Sequence, residues 1–580
     1  MRLQSKMKKS FSAVLAAILS VTLSAGFVFA AEKSKKKTLK NDTFTIKAVP
    51  IGPTQDDVNA AIRRLEMTDL FTAAAKGSKY RLIKFEFLTP DSDLSGTLPS
   101  RFRATYYNYT KDISIVAEGD FAGGEPIRIL EIAVDPGASG DEVEAAMNLV
   151  KNDPRYRDLN SANKLEIYES MPPVSNLNGE RLVNVGVRNL ETGENQIVGV
   201  SFKNENIVFY PDNAPPTARA TPEACGVPNA GQSSTSRGLA GTLSVTAFET
   251  GNTNPVWEMT VLRPSASTGG EGSGIEVRDV KYRGKSVLKR GHLPVLNVKY
   301  VSSCGPFRDW QYSEGFFQIP TSGVNFPNGP TGGFALIDPP GIATTIIETR
   351  NDTGNFQGVA IYQQNPGEGN ELVLVTEMNA GWYRYIMEWR FGFDGRIRPR
   401  FGFGSAGPNT CICIQRNHHA YWRFDFDIVQ PQNNIYLVER GKKFMSPIRT
   451  ESAFFRNYAR NRSFVIQNAN GNEAYSITPN LTDSTVTDGN GVLTDPYGKG
   501  DFWLLKFQGT AANPSELDDP NSDSSINIAP WVNGESLVGQ DIVIWYGAHQ
   551  TRVDDASLRS DGQIIRGVHI IGPDLRPIRW

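Results

Sequence analysis

The chain has 580 residues, 39% of them hydrophobic and 21% charged, with a formal net charge of −2. That length allows a large buried core and about three domains, and the slightly acidic balance leaves no overall basic footprint for nucleic acid.

Residues 1–30 read as an export signal. Arg2, Lys6, Lys8 and Lys9 form a basic start, Phe11 to Phe29 is apolar with small polar interruptions, and Val28-Phe29-Ala30 offers a cleavage site after Ala30. The other reading, a retained membrane anchor, has to contend with a short run broken by Ser and Thr. Cleavage removes four positive charges and no acid, so the net charge falls from −2 to about −6. No later stretch is long and apolar enough to span a bilayer. The mature chain is therefore expected to be secreted, with no membrane attachment, behind a basic lead-in at 31–45 that contains KSKKK.

A first α+β domain is expected over 46–135. A helix starts at Thr54-Gln55-Asp56-Asp57 with Val58, Ala61, Ile62 and Leu65 at helical spacing, and four strand-like runs follow between Tyr80 and Val134. The pattern recurs over 136–210. Ser139 and Glu142 form a capping box, Val143, Ala146, Met147 and Val150 make the apolar stripe, and strands follow from Leu165 to Tyr210. Neither unit holds a His, a Cys or a paired-carboxylate signature. Residues 211–238 are rich in Pro, Ala, Ser and Thr and read as a linker. From 239 to 580, short runs of Val, Ile, Phe, Tyr and Trp broken by Gly, Pro, Asn and Asp predict a large all-β sandwich.

Four cysteines, Cys225, Cys304, Cys411 and Cys413, allow three pairings that sequence does not choose among. Cys411 and Cys413 are too close for an easy bridge within a strand, and without a second cysteine pair nearby they make a poor metal site. No phosphate loop, zinc signature or Ser-His-Asp spacing is present.

Three segments are specific. Tyr383-Arg384-Tyr385 leads through Trp389 to Asp394-Gly395; Asn417-His418-His419 leads to Arg423-Phe424-Asp425-Phe426-Asp427; and Gln540 to Tyr546 (QDIVIWY) forms a late strand. In this order they resemble the landmarks of the copper amine oxidases. The resemblance implies two small cystatin-like α+β domains ahead of a large β-sandwich and a homodimer. It also implies oxidation of primary amines by oxygen to aldehydes, with release of ammonia and hydrogen peroxide.

By that resemblance Tyr383 holds the position of the tyrosine that copper and oxygen convert to topaquinone, although the neighbouring Asn and acid of the family are Trp382 and Arg384 here. The alternative is an ordinary strand aromatic. The copper ligands of the family fall on Arg416, His418 and Arg552, and a cationic guanidinium offers no lone pair to a metal. His419 and His549 lie nearby in sequence and could form an altered copper site with His418. Because side chains alternate along a strand, His419 is expected on the opposite face from His418, and the alternative is a hydrogen-bonded pair of strand histidines. A peripheral calcium-type site is implied at Asp425, Phe426 (carbonyl), Asp427, Asp541 and Ile542 (carbonyl), hard oxygen ligands that suit the ion. The alternative is an acidic edge pairing with Arg423. Asp309, in PFRDWQYSEGF, is the candidate for the base that removes the substrate α-proton, but it lacks the family's motif; pairing with Arg308 or a surface neighbour is the reading the sequence favours. Two outcomes stay open, an active oxidase and a catalytically silent relative that keeps the fold as a binding or structural module.

Overall fold

The computed structural model describes residues 43–580 except 52, 54, 89–100, 125–126, 193–194, 211–231, 237–241, 270, 301–306, 313, 318–358, 365–368, 381–382, 406–414, 445, 482, 485–499, 509–527 and 553–568. The export signal, nearly all of the lead-in, the four cysteines and Trp382 lie outside the described residues.

In the first α+β unit, helix Gln55–Glu66 and the short helix Asp69–Ala75 pack on an antiparallel sheet of Tyr80–Leu88, Arg101–Asn108, Ile113–Asp120 and Arg128–Ile132. Val58, Ala61 and Leu65 are buried against Phe85, Phe102 and Ile115, the stripe that their spacing dictates. Thr68 caps the short helix by accepting from the Phe71 amide.

The second unit repeats the plan. Helix Gly140–Asn152 covers the antiparallel strands Leu165–Leu177, Glu180–Asn189, Asn195–Ser201 and Asn206–Phe209. Its capping box is formed, the Glu142 amide donating to Ser139 Oγ and the Ser139 amide donating to Glu142 Oε2. The same carboxylate accepts from Tyr109 Oη and from both terminal nitrogens of Arg181, at 2.8 and 3.0 Å, with both side chains of the ion pair fully buried. A helix start is thus tied to a buried charge pair, and each depends on the other.

The remaining strands form the β-sandwich. One layer is built around Lys285–Tyr300, Arg416–Phe426 and Gln540–Arg552, antiparallel neighbours in that order. The facing layer is built around Glu371–Ala380, Tyr383–Gly392 and Ile397–Ser405. Every residue of Arg416–Phe426 is buried, because this strand is central in its layer and covered on both sides. Ala420, Trp422, Phe424 and Phe426 face the inter-layer core with Trp389 and Phe391, whereas Tyr421 packs on the other side with Trp503 and Trp545. Trp389 meets Trp422 edge-on, with centroids 5.4 Å apart and planes at 90°; such a pair adds about 0.5–1.5 kcal/mol beyond its area. Among the described residues the sandwich has only short 3-10 turns besides its strands.

Two boundaries differ from the sequence expectation. Phe44–Ile51 is an edge strand of the sandwich, paired with Thr242–Glu249 from Phe44↔Glu249 to Ile51↔Thr242. The junction expected between lead-in and first domain at 45/46 therefore falls inside a strand. Its alternation of β-formers satisfies a sandwich edge nearly two hundred residues away, a partner that local pattern cannot reveal. Within the 211–238 linker, Gln232–Ser236 pairs with Glu314–Phe317 through backbone groups that any polar sequence carries.

Candidate functional site

The two layers bring the singled-out residues to one end of the core. Tyr383 and Tyr385 alternate inward from the first turn of their strand, and their rings stack at 5.3 Å. Tyr383 Oη is hydrogen-bonded to Tyr300 Oη, from the last residue of Lys285–Tyr300. Tyr385 Oη donates to Asp309 Oδ2.

Asp309 is fully buried, and so the surface pairing that its sequence favours is corrected. The Asp309 amide donates to the Leu296 carbonyl at 2.8 Å, which lays the segment 307–312 along the long strand and turns the carboxylate into the core. The Arg308 guanidinium donates to the Pro294 carbonyl at 3.1 Å. Burial pushes the Asp309 carboxyl well above its usual range, and buried Glu271 adds to this against the opposing Tyr385 hydrogen bond and Arg308. Burial and the Asp309 charge likewise raise Tyr385, and burial together with Tyr383 raises Tyr300. The site holds neutral phenols around a carboxyl that favours its proton.

Arg416 shares this face. Its guanidinium lies 5.4 Å from the centre of the Tyr383 ring, within cation–π range, and the side chain is fully buried. His418, two residues on, points the same way. It stacks on Phe403 at 3.7 Å, meets Tyr383 edge-on at 4.9 Å, and sets Nε2 3.5 Å from Tyr385 Oη. Arg552 is the cross-strand partner of Arg416.

His419 and His549, also cross-strand partners, occupy the opposite face. Their Nδ1 atoms are 2.9 Å apart, His549 packs against Tyr421, and His549 Nε2 is 3.2 Å from Asp501 Oδ1. The three histidines do not converge. His418 is separated from the other two by the thickness of the sheet, so the altered three-histidine copper site is not assembled. Of the three positions that the resemblance gives to copper ligands, Arg416 places a guanidinium beside His418 on the Tyr383 face, and a guanidinium offers a copper ion no lone pair.

The acidic cluster does come together. Asp425, Asp427 and Asp541 place carboxylate oxygens within 4.8 Å of one another, and Phe426 and Ile542 are paired backbone neighbours between them. Asp425 Oδ1 has no hydrogen-bond donor among the described residues. Burial raises the Asp425 carboxyl against the opposing pull of Arg423, Arg290 and Lys289. These three crowded acids, two of them buried, form an oxygen set of the kind that holds a hard cation.

Sequence reasoning missed Tyr300, Phe403, Glu271 and Asp501. Each is a single residue in a strand or loop without a motif, brought in by a register that only the folded sheet defines.

No family model matches the chain. No curated protein matches it either. Among solved structures, the chain is similar to a copper-containing benzylamine oxidase from Hansenula polymorpha, with a TM-score of 0.58 at 12% identity over 91% of this chain and 97% of that one. It is also similar to an Aspergillus nidulans amine oxidase, with a TM-score of 0.50 at 13% identity over 91% and 88%. At these identities the shared property is the fold: the chain has the architecture of the copper amine oxidases.

Proposed function

We propose that this protein is a secreted relative of the amine oxidases that has kept their fold and lost the copper–quinone chemistry, serving as a binding or structural module. The observation that carries this reading is the Arg416 guanidinium over the Tyr383 ring, at a position where the resemblance puts a metal ligand, with His418 beside it. A permanent cation next to Tyr383 repels a metal ion and supplies no ligand in its place. Calcium at Asp425, Asp427 and Asp541 with the Phe426 and Ile542 carbonyls stabilises the sandwich in this reading, and a homodimer is its assembled state.

The test is aerobic incubation of the purified mature chain with copper, followed by metal analysis, visible absorbance, phenylhydrazine reaction and mass analysis of the Tyr383 peptide. The expected result is an unmodified Tyr383 and no quinone band. A phenylhydrazine-reactive band with a modified Tyr383 overturns the proposal.

The second reading, an oxidase of primary amines that uses oxygen, draws on two observations. The Tyr300–Tyr383 hydrogen bond and the buried Asp309 beside Tyr385 are an organic half-site suited to a base and a held phenol. Hydrogen peroxide and ammonia released from an amine panel would favour it.

A further inference from the structure

Lys289 and Asp279 take no part in the site above, and the fold goes out of its way to bring them together. They lie on the hairpin of Glu276–Tyr282 and Lys285–Tyr300, which turns through Arg283 and Gly284, both with positive φ. The register runs Arg278↔Arg290 and Val280↔Leu288, so Asp279 and Lys289 stand opposite each other between these pairs. Each is also set in a bulge toward its other neighbouring strand. Pairing of Glu258↔Lys281 and Thr260↔Arg278 leaves Asp279 and Val280 against a single residue, Met259. Pairing of Leu288↔Phe426 and Arg290↔Asp425 makes Lys289 the extra residue of its strand. Asp279 has φ 49°, a left-handed conformation that costs an L-residue energy. Bulges re-aim side chains, and this pair of bulges sets Lys289 Nζ 2.7 Å from Asp279 Oδ1.

Burial sets the pair apart. The Lys289 and Asp279 side chains are 7% and 11% exposed, whereas Lys203 and Lys285, as close to Asp112 and Glu473, are 40% and 42% exposed. An exposed pair is held as ions by water. With water excluded, both ions lose their hydration, and moving one proton from the ammonium to the carboxylate gives a neutral amine against a neutral acid. A neutral lysine amine is a nucleophile toward a carbonyl carbon. Val280 and Leu288, the flanking pair, are fully buried in the inter-layer core, which fixes the backbone on both sides.

We infer that Lys289 and Asp279 condense to an intramolecular isopeptide bond. The Lys289 ammonium passes a proton to the Asp279 carboxylate along their hydrogen bond, and the freed lone pair on Nζ attacks Cγ. The hydroxyl so formed on the carboxyl takes a second proton from the same nitrogen and leaves as water. One C–N bond forms, one C–O bond breaks, and the neutral ion pair becomes a neutral amide plus water, with no oxidant or other reactant. Proximity supplies the drive: an amine held at hydrogen-bond distance from a carboxyl oxygen is close to the separation of about 3–3.5 Å from the carbon that a near-attack arrangement needs. The bond closes residues 279–289 into a ring. It joins the strand paired with Pro255–Leu262 to the strand paired with Arg416–Phe426, and so staples the layer that carries the acidic cluster. Unlike a disulfide, it is indifferent to reductant.

The test is the intact mass of the full mature protein, reduced and denatured, followed by a tryptic peptide map. The expected mass is lower than that of the sequence by one water. The map should show peptide 279–281 joined to peptide 286–290, with no cleavage after Lys289, because an acylated lysine is not a trypsin site. Lys289→Arg keeps the ion pair but cannot form this bond, and Asp279→Ala removes the carboxyl; both should have the full mass and give the two peptides separately. The wild-type map decides the matter even where a variant does not fold. Two results overturn the inference. One is wild-type protein of full mass with cleavage after Lys289, which leaves an ordinary buried ion pair. The other is a loss of water that survives in both variants, which places the condensation elsewhere in the chain.

Discussion

Replacing Arg416 and Arg552 together by histidine is the most direct test of the reading that two arginines stand where a metal would be held. Residues 416 and 418 are two apart on one strand, hence about 6.8 Å between Cα atoms. Arg416 and Arg552 are cross-strand partners, hence about 4.5–5.5 Å apart. Three imidazoles on such a triangle, all on one sheet face, can close on a single ion with metal–nitrogen distances of about 2.0 Å. The wild-type chain should take up far less than one copper per molecule at the His418 face, and Arg416→His with Arg552→His should take up about one. At free copper one hundred times the dissociation constant, binding to the folded state alone stabilises the variant by about 2.7 kcal/mol. Metal analysis after gel filtration and denaturant unfolding with and without copper read both effects, and His418→Ala in the double-histidine background should abolish them. A folded double variant that binds no copper would refute the reasoning, because the strand register would then not place the three positions as stated. So would a wild-type chain that binds one copper and loses it on His418→Ala.

Chelation should lower the unfolding free energy of wild type by about 2–3 kcal/mol if calcium saturates its site, and leave Asp425→Asn with Asp427→Asn unaffected; equal sensitivity in both proteins counts against the cluster as a cation site. Glu142→Gln should cost about 3–5 kcal/mol, because buried Arg181 keeps its charge and loses its partner, whereas a loss under about 1 kcal/mol in urea unfolding would show that the pair is not the anchor of that helix. Glu276 is fully buried; burial raises its carboxyl, but Arg278, Arg290 and His292 outweigh this and hold it well below the usual range. A depressed acid contributes stability above its unfolded value of about 4.3 and loses it as pH falls through the folded value. The stability difference between wild type and Glu276→Gln should therefore be largest above about pH 4.3 and narrow in acid; a difference independent of pH would mean that Glu276 is not charged in the fold.

What could be read from sequence was whatever local chemistry determines. The Ser139–Glu142 capping box and the stripe of Val143, Ala146 and Val150 are statements about one helix, and the folded helix begins and buries itself there. The opposite orientations of His418 and His419 follow from strand alternation alone, and so does the shared face of Arg416 and His418. What could not be read depends on register between distant strands. His419 meets His549 because two strands pair at that position, 130 residues apart in sequence. Asp309 is buried because its segment lies along Lys285–Tyr300, and Tyr300 reaches Tyr383 because that long strand ends level with the start of Tyr383–Gly392. Phe44–Ile51 looked like the start of the domain that follows it in sequence, and its partner strand belongs to another.

On the proposed reading, the packing of Arg416–Phe426 explains how the fold can outlast the chemistry. The inward residues from Ala420 to Phe426 pack against the aromatic core, and the outward residues fill the Trp503–Trp545 cluster, so the strand is held along its length by burial. A metal ligand at its start contributes to one end only. Exchanging an imidazole for a guanidinium there trades a ligand for a cation that can rest over the Tyr383 ring, an arrangement the phenol face tolerates within about 6 Å. The three carboxylates near Phe426 lie at the other end of the same strand, about 30 Å away by strand rise, and are untouched by the exchange. The two ends can therefore diverge independently. On the proposed reading, a chain that keeps the acidic cluster and the core while carrying Arg416 at a ligand position has given up only what catalysis requires.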